Sequence, residues 1–336
     1  MSQPFDIAVI GATGTVGETL VQILEERDFP VGTLHLLASI ESAGQSVPFR
    51  GKNVRVREVD EFDFSKVRLV FFAAGEQVTL AYAPRAHAAG CALIDLSGAL
   101  PAEQAPRVVP EANAELLKSL SAPYQLSSPS ASVTALAVVL APLHGLLTLQ
   151  RLSVTACLAV SSQGREGVVE LARQTAELLN VRPLEPRFFD RQIAFNLLGQ
   201  VGPADDAGHT LLEKRLADEL KQILADPALK VAATCVQAPV FFGDSLSLSL
   251  QSATKVDLKA VCAALDSAPG IERVEPGDYP TAVGDAVGQD VVYVGRVRNG
   301  LDDPTELNLW IASDNVRKGA ALNAVQIGEL LIKHYL

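Results

Sequence analysis

Apolar positions along the chain fall into two textures. Phe5–Ile10 is a short apolar run that stops at Gly11-Ala12-Thr13-Gly14-Thr15-Val16-Gly17, after which Val16, Leu20, Ile23 and Leu24 recur at helical spacing. That order predicts strand, glycine turn, helix. Further apolar runs at Thr33–Leu37, Leu69–Ala73 and Ala92–Leu96, with a helical stretch at Val78–Ala89, predict parallel strands joined by right-handed crossovers. The first ~125 residues therefore read as an α/β, Rossmann-type doubly wound domain.

The second texture mixes predicted helices at Thr134–Leu146, Arg165–Leu179, Leu211–Leu224 and Leu258–Leu265 with strands of strict alternation. The clearest is Ser245-Leu246-Ser247-Leu248-Ser249-Leu250. Alternation means one buried and one polar face, which suits an antiparallel or mixed sheet with helices on one side, an α+β domain. Asn315–Leu336 reads as helix again. No internal repeat or low-complexity tract is present.

Composition narrows the function. A length of 336 residues suggests two domains at about 150 residues each. Apolar residues make up 48% and the mean hydropathy is +0.22, with no unbroken apolar run long enough to span a bilayer. The net charge of −11, without a basic run, argues against a nucleic-acid partner. Met1-Ser2-Gln3-Pro4-Phe5-Asp6 has no basic and apolar leader pattern, which predicts a cytoplasmic protein. Cys91, Cys157, Cys235 and Cys262 are far apart among apolar neighbours, with no metal-ligand spacing, and are expected to be buried and reduced.

The glycine turn carries the first chemistry. Three glycines let the backbone turn tightly and approach a pyrophosphate, while the N–H groups at a helix start face the anion. Gly11, Thr13, Gly14, Thr15, Val16 and Gly17 are the candidate phosphate-side residues. At the end of the second strand, Ser39-Ile40-Glu41-Ser42-Ala43-Gly44 supplies Ser39 and Glu41. An acidic side chain there accepts hydrogen bonds from a ribose diol and repels a 2′-phosphate, so NAD is expected in preference to NADP.

Taken in order, the glycine turn, Ala38–Gly44, Val109-Pro110-Glu111-Ala112-Asn113, Ile193-Ala194-Phe195-Asn196 and Ser313-Asp314-Asn315-Val316-Arg317-Lys318-Gly319-Ala320-Ala321 resemble the aspartate-semialdehyde dehydrogenase family, in particular its Usg-type branch. The resemblance spans nearly the whole chain. It implies an NAD(P)-binding domain over 1–130, a dimerisation and substrate domain over 131–314, and a C-terminal helix over 315–336 returning to the first domain. It also adds Asn315 to the cofactor-binding set and implies a homodimer.

The same resemblance implies that the family's reacting groups are missing. Members use a cysteine thiolate, within Pro-Asn-Cys-Ser/Thr at a helix start, to attack an acyl phosphate or aldehyde. Here Ser128-Pro129-Ser130-Ala131-Ser132 puts Ala131 at that place. Leu158 stands for the substrate-orienting glutamine, Gln237 for the arginine that pairs with a carboxylate, and Asp244 for the acid/base histidine. Pro101 takes the place of a phosphate-binding arginine, and near Arg215, where the family has a lysine in an acidic-basic pair, the charge is kept while Leu212 leaves the identity of its acidic partner open. An unperturbed Asp244 would be ionised at pH 7 and a poor proton donor. The expectation is an NAD-binding dimer with no catalytic residues of the family type and no metal site. Two other readings stand beside it: an active NAD-dependent oxidoreductase with a non-covalent mechanism on a different aldehyde or oxo substrate, and an interaction protein with an empty nucleotide site.

Overall fold

The computed structural model describes residues 4–336, so residues 1–3, which contribute to the reading of the N-terminus, lie outside the described residues. The chain divides into two compact units, one running to Ser130 and completed by Ala320–Leu336, the other Ala131–Gly319. Residues 315–319 thus belong with the second unit, against the expected return at 315. The physical reason is their bonding. Asn315 Oδ1 accepts from the Gly243 N–H at 2.9 Å, and Asp314 Oδ2 accepts from the Gly288 N–H at 2.8 Å, tying this stretch to that unit's sheet ends.

In the first unit the elements are β1 (Phe5–Ile10), α1 (Thr15–Glu26), β2 (Val31–Ala38), β3 (Ser46–Phe49), β4 (Lys52–Glu58), β5 (Leu69–Phe72), α2 (Glu76–Ala88), β6 (Ala92–Asp95), α3 (Pro110–Asn113) and β7 (Gln125–Ser127). The sheet order is β3-β4-β2-β1-β5-β6-β7, parallel except for β3, which forms an antiparallel hairpin with β4. From β4 to β7 this is the doubly wound order, and its direction reverses between β1 and β5. Every residue of β5 and β6 is buried, as expected of strands covered on both faces. Two apolar clusters flank the sheet. One holds Leu20, Ile23 and Leu24 of α1 with Phe29 and Phe71, and the other Phe62, Phe64, Ala83 and Cys91.

The C-terminal helix, Asn323–His334, completes this unit by adding Val325, Ile327 and Leu331 to the first cluster. Regular helix starts eight residues later than Asn315, after a wider-wound turn at Arg317–Leu322. Arg27 grips Glu329 through two bonds of 2.7 and 2.8 Å, and the Asn323 amide donates to the Val108 carbonyl at 3.0 Å.

The second unit runs α4 (Ala131–His144), β8 (Leu149–Leu158), α5 (Gly164–Leu179), α6 (Leu211–Ile223), β9 (Lys230–Gln237), β10 (Asp244–Ser252), α7 (Leu258–Ser267), β11 (Ile271–Arg273), β12 (Val292–Asn299) and β13 (Glu306–Ser313). Its sheet is mixed, with order β11-β12-β13-β10-β8-β9. Leu246, Leu248 and Leu250 of β10 point into the core while Ser247 is exposed, so the period-2 pattern does mark a one-sided sheet. Helix α4 is apolar all round and is buried from Ser132 to Leu140. Among the described residues no helix is long and apolar enough to cross a membrane.

Candidate functional site

The glycine turn sits where a doubly wound sheet holds phosphate, between the end of β1 and the start of α1. Gly11 has φ +82°, and a methyl group there would lie 2.4 Å from the Ala73 carbonyl oxygen. Gly14 is the N-cap of α1 and supplies no side-chain cap, so the N–H groups of Thr15, Val16 and Gly17 open the helix without a side-chain acceptor. Such groups are suited to an anion. A Cβ at Gly17 would come within 2.1 Å of the Gly11 carbonyl oxygen and 2.9 Å of the Ala12 Cα. Both obstacles are backbone. Gly17→Ala is therefore expected to destabilise the unit by about 3 kcal/mol, the upper end for overpacking, which a denaturant midpoint shift at unchanged slope would register.

A cavity of about 360 Å³ opens beside the turn. Gly11 and Thr13 line its phosphate end, Ser39, Ile40 and Ser42 come from the loop after β2, and Val78 and Tyr82 from α2. Of the residues expected to hold a cofactor, Gly11, Thr13 and Ser39 thus share one cavity. Glu41 is exposed, accepts a 3.4 Å bond from the Ser39 hydroxyl, and is not among the lining residues. Glu58 and Asp60, from the end of β4, do line it. The sequence reading missed them because β4 itself was missed, although Val54-Arg55-Val56-Arg57 alternates. Asn315 lies in the second unit, with its amide engaged to Ser161 at 3.0 Å and to the Gly243 N–H.

The positions the resemblance singled out in the second unit converge at the ends of three neighbouring strands. Leu158 ends β8, Gln237 ends β9 in parallel register with it, and Asp244 opens β10, whose next residue pairs with Cys157. Ala131 is the first residue of α4, half-buried, and packs closely on Gly319, where an added Cβ would sit 2.6 Å from its own. Leu158 is buried, and its carbonyl accepts from Gln237 Nε2 at 2.8 Å. That bond turns one N–H of the amide inward.

Asp244 departs most from expectation. It is buried, with Oδ1 accepting from the Ala159 N–H at 3.0 Å and Oδ2 from the Ser132 hydroxyl at 3.4 Å. Loss of solvation pushes its pKa up to about 7, the neighbouring Asp314 charge adds to the rise, and the two hydrogen bonds only partly offset it. The ionised, non-donating Asp244 expected at pH 7 in the absence of burial is thus not the state found: burial keeps it near half-protonated.

The thiols of Cys91, Cys157 and Cys235 are all shifted away from the reactive thiolate form. Burial pushes Cys91 up to about 11 and Cys235 to about 12, and Cys157 is raised by burial and by the Asp244 charge. Arg215 has a carboxylate partner in Glu219, one turn on at 3.0 Å. The loop at Pro101 is organised by Asp95, whose carboxylate accepts from the N–H groups of Ser97, Gly98 and Leu100, while Arg107 binds the Gly98 and Leu100 carbonyls.

A larger cavity, about 750 Å³, lies in the second unit against Gln237, with Gln163, Asn196 and Gln200 contributing further amides. Its wall is the loop carrying Ile193-Ala194-Phe195-Asn196. Gln174 accepts from the Ile193 and Ala194 N–H groups at 2.8 and 3.2 Å, and Glu170 from the Arg187 N–H at 2.9 Å. Burial works against the Glu170 charge, but bonds from Arg173, Arg187 and Gln174 hold its pKa down to about 2. Among the described residues no cluster of His, Cys, Asp and Glu could hold a metal.

Comparison with known proteins matches residues 6–120 to a family model described as semialdehyde dehydrogenase, NAD binding domain, and residues 140–318 to semialdehyde dehydrogenase, dimerisation domain. A "USG-1 protein homolog" of Azotobacter vinelandii is 66% identical over 333 residues, 99% of each chain. "Aspartate-semialdehyde dehydrogenase 2" of Vibrio cholerae is 42% identical over 336 residues, covering both chains fully. The structure of a probable aspartate-semialdehyde dehydrogenase from Pseudomonas aeruginosa superposes with a TM-score of 0.97 at 62% identity, over 99% of this chain and 100% of that one.

Proposed function

The chain belongs to the semialdehyde dehydrogenase family, and from that premise we propose that it is an NAD-binding, homodimeric relative that has lost the family's covalent reaction. NAD(P) binding follows from the matched nucleotide domain and the glycine turn; the preference for NAD is part of the proposal. The dimer follows from the matched dimerisation domain, and its contacts are assigned chiefly to the second unit. A cytoplasmic setting belongs to the same reading.

The observation that carries the loss of function is Ala131 at the start of α4, since a methyl group cannot form a thioester or thiohemiacetal. Cys91, Cys157 and Cys235 are not poised to substitute, given their raised pKa values. The test is direct. Purified protein with aspartate semialdehyde, phosphate and NAD or NADP is expected to give no change in nicotinamide absorbance, and turnover near the ~10 s⁻¹ usual for enzymes would overturn the reading.

A second reading has one specific observation in its favour. Asp244, with a pKa of about 7, could give or take a proton in a non-covalent hydride transfer, and the amide-lined cavity of about 750 Å³ is of substrate size. A panel of neutral aldehydes and ketones with NADH separates this reading from the first.

A further inference from the structure

The loop after β2 is the usual source of the acidic group that reads the adenine-side ribose. In this chain that loop offers Glu41, which is exposed and lies outside the cavity lining. Strand β4 lies beside β2 in parallel register, with Glu58 directly opposite the last β2 residue, Ala38, and the Val59 N–H donating to the Ala38 carbonyl at 3.1 Å. Glu58 therefore ends its strand at the same level as the ribose-reading position, one strand further out. It is half-buried and lines the cavity together with Ser39, Ser42 and Tyr82.

Resting on the nucleotide reading of this cavity, we propose that Glu58, from β4, is the residue that selects NAD against NADP. Among the described residues no hydrogen bond or ion pair engages the Glu58 carboxylate, so both oxygens are available as acceptors for ribose hydroxyls. A 2′-phosphate offers no such donors and adds like charge.

Asp60, two residues on, is a weaker candidate because its charge is already used. It accepts from the Tyr82 hydroxyl at 2.6 Å, and Arg85 stands 3.9 Å from the same oxygen while donating to the Asp60 carbonyl. Tyr82 feels both carboxylates, for its pKa is raised first by the Asp60 bond and also by the Glu58 charge, which places Glu58 on the same wall. Among the lining residues there is no Lys or Arg to balance these charges.

Calorimetric titration of the full-length protein with NAD and with NADP, for wild type, Glu58→Gln, Glu58→Asp and Glu41→Gln, tests the assignment. Wild type is expected to bind NAD at least tenfold more tightly. Glu58→Gln is expected to shrink that ratio about tenfold, mainly through tighter NADP binding, while Glu58→Asp keeps most of it. A collapsed ratio in Glu41→Gln with Glu58→Gln unchanged would overturn the proposal in favour of the β2 loop. NAD binding with no effect at either position sinks the Glu58 assignment alone, whereas no NAD binding by wild type at millimolar concentration removes the nucleotide reading beneath it.

Discussion

Ala131→Cys is expected to produce a chemically competent thiol and no dehydrogenase turnover. Position 131 is the first residue of α4, where the helix dipole favours a thiolate, so the new cysteine should react readily with a disulfide reagent near neutral pH. Capture and reduction of an acyl group need more than a nucleophile. Gln237 is uncharged and one N–H of its amide is bonded to the Leu158 carbonyl, leaving no cation there for a substrate carboxylate. Leu158 offers a buried hydrocarbon where an orienting amide would act. Asp244 can hold a proton, but its two oxygens already face the Ala159 N–H and Ser132. Groups that act as a unit are strongly non-additive, and restoring one recovers little. Thiol titration showing a reactive cysteine, alongside turnover at least ~10³-fold below ordinary enzyme rates, is the anticipated pair of results. Turnover of order 1 s⁻¹ in this single variant would mean that Leu158, Gln237 and Asp244 form a working site after all.

The first unit was legible because its signals are local. Three glycines between an apolar run and a helical repeat need a tight turn, and Gly11 and Gly17 have backbone within 2.4 Å of where a Cβ would stand. Short strands buried on both faces, such as β5 and β6, stand out as apolar runs. Strand β4 did not, because an edge-side strand with Arg55 and Arg57 on its open face reads as polar loop, and the carboxylates at its end went unseen with it. Glu41 falls outside the cavity lining for a related reason: sequence spacing places a residue near a strand end but does not say whether its side chain turns into the cavity or out to solvent. Asn315 was read from position in a motif, whereas its amide is used to bridge Ser161 and the Gly243 backbone. The Asp244 environment could not be read at all, since its burial depends on Ser132 and Ala159, 112 and 85 residues distant in sequence.

That burial sets a pH dependence of definite sign. Asp244 holds its proton up to about pH 7 in the folded chain and releases it near 3.9 when unfolded. Between those values the folded state binds more protons, so the stability associated with this group is fully present below about pH 4 and is lost as pH rises through 7. The span corresponds to an upper limit of about 4 kcal/mol, at roughly 1.4 kcal/mol per pKa unit. Asp244→Asn removes the titration while keeping shape and bonding, because an amide oxygen still accepts from the Ala159 N–H and the NH₂ can donate to Ser132 Oγ. The neighbouring Asp314 charge contributes to the raised pKa of Asp244, so its repulsion of the ionised carboxylate is part of what the comparison reads. Other shifted carboxylates do not intrude: Glu170 and Asp205, both held down to about 2, lose their contribution only as pH falls below about 4. Urea unfolding from pH 4 to 9 should therefore show the wild type falling progressively below Asp244→Asn between about pH 4 and 7, with the gap reaching a few kcal/mol near pH 7 and staying constant above it. Parallel profiles for the two proteins would mean that water or a rearranged loop solvates the carboxylate, and would also remove the proton-carrying role on which a non-covalent reaction at this centre depends.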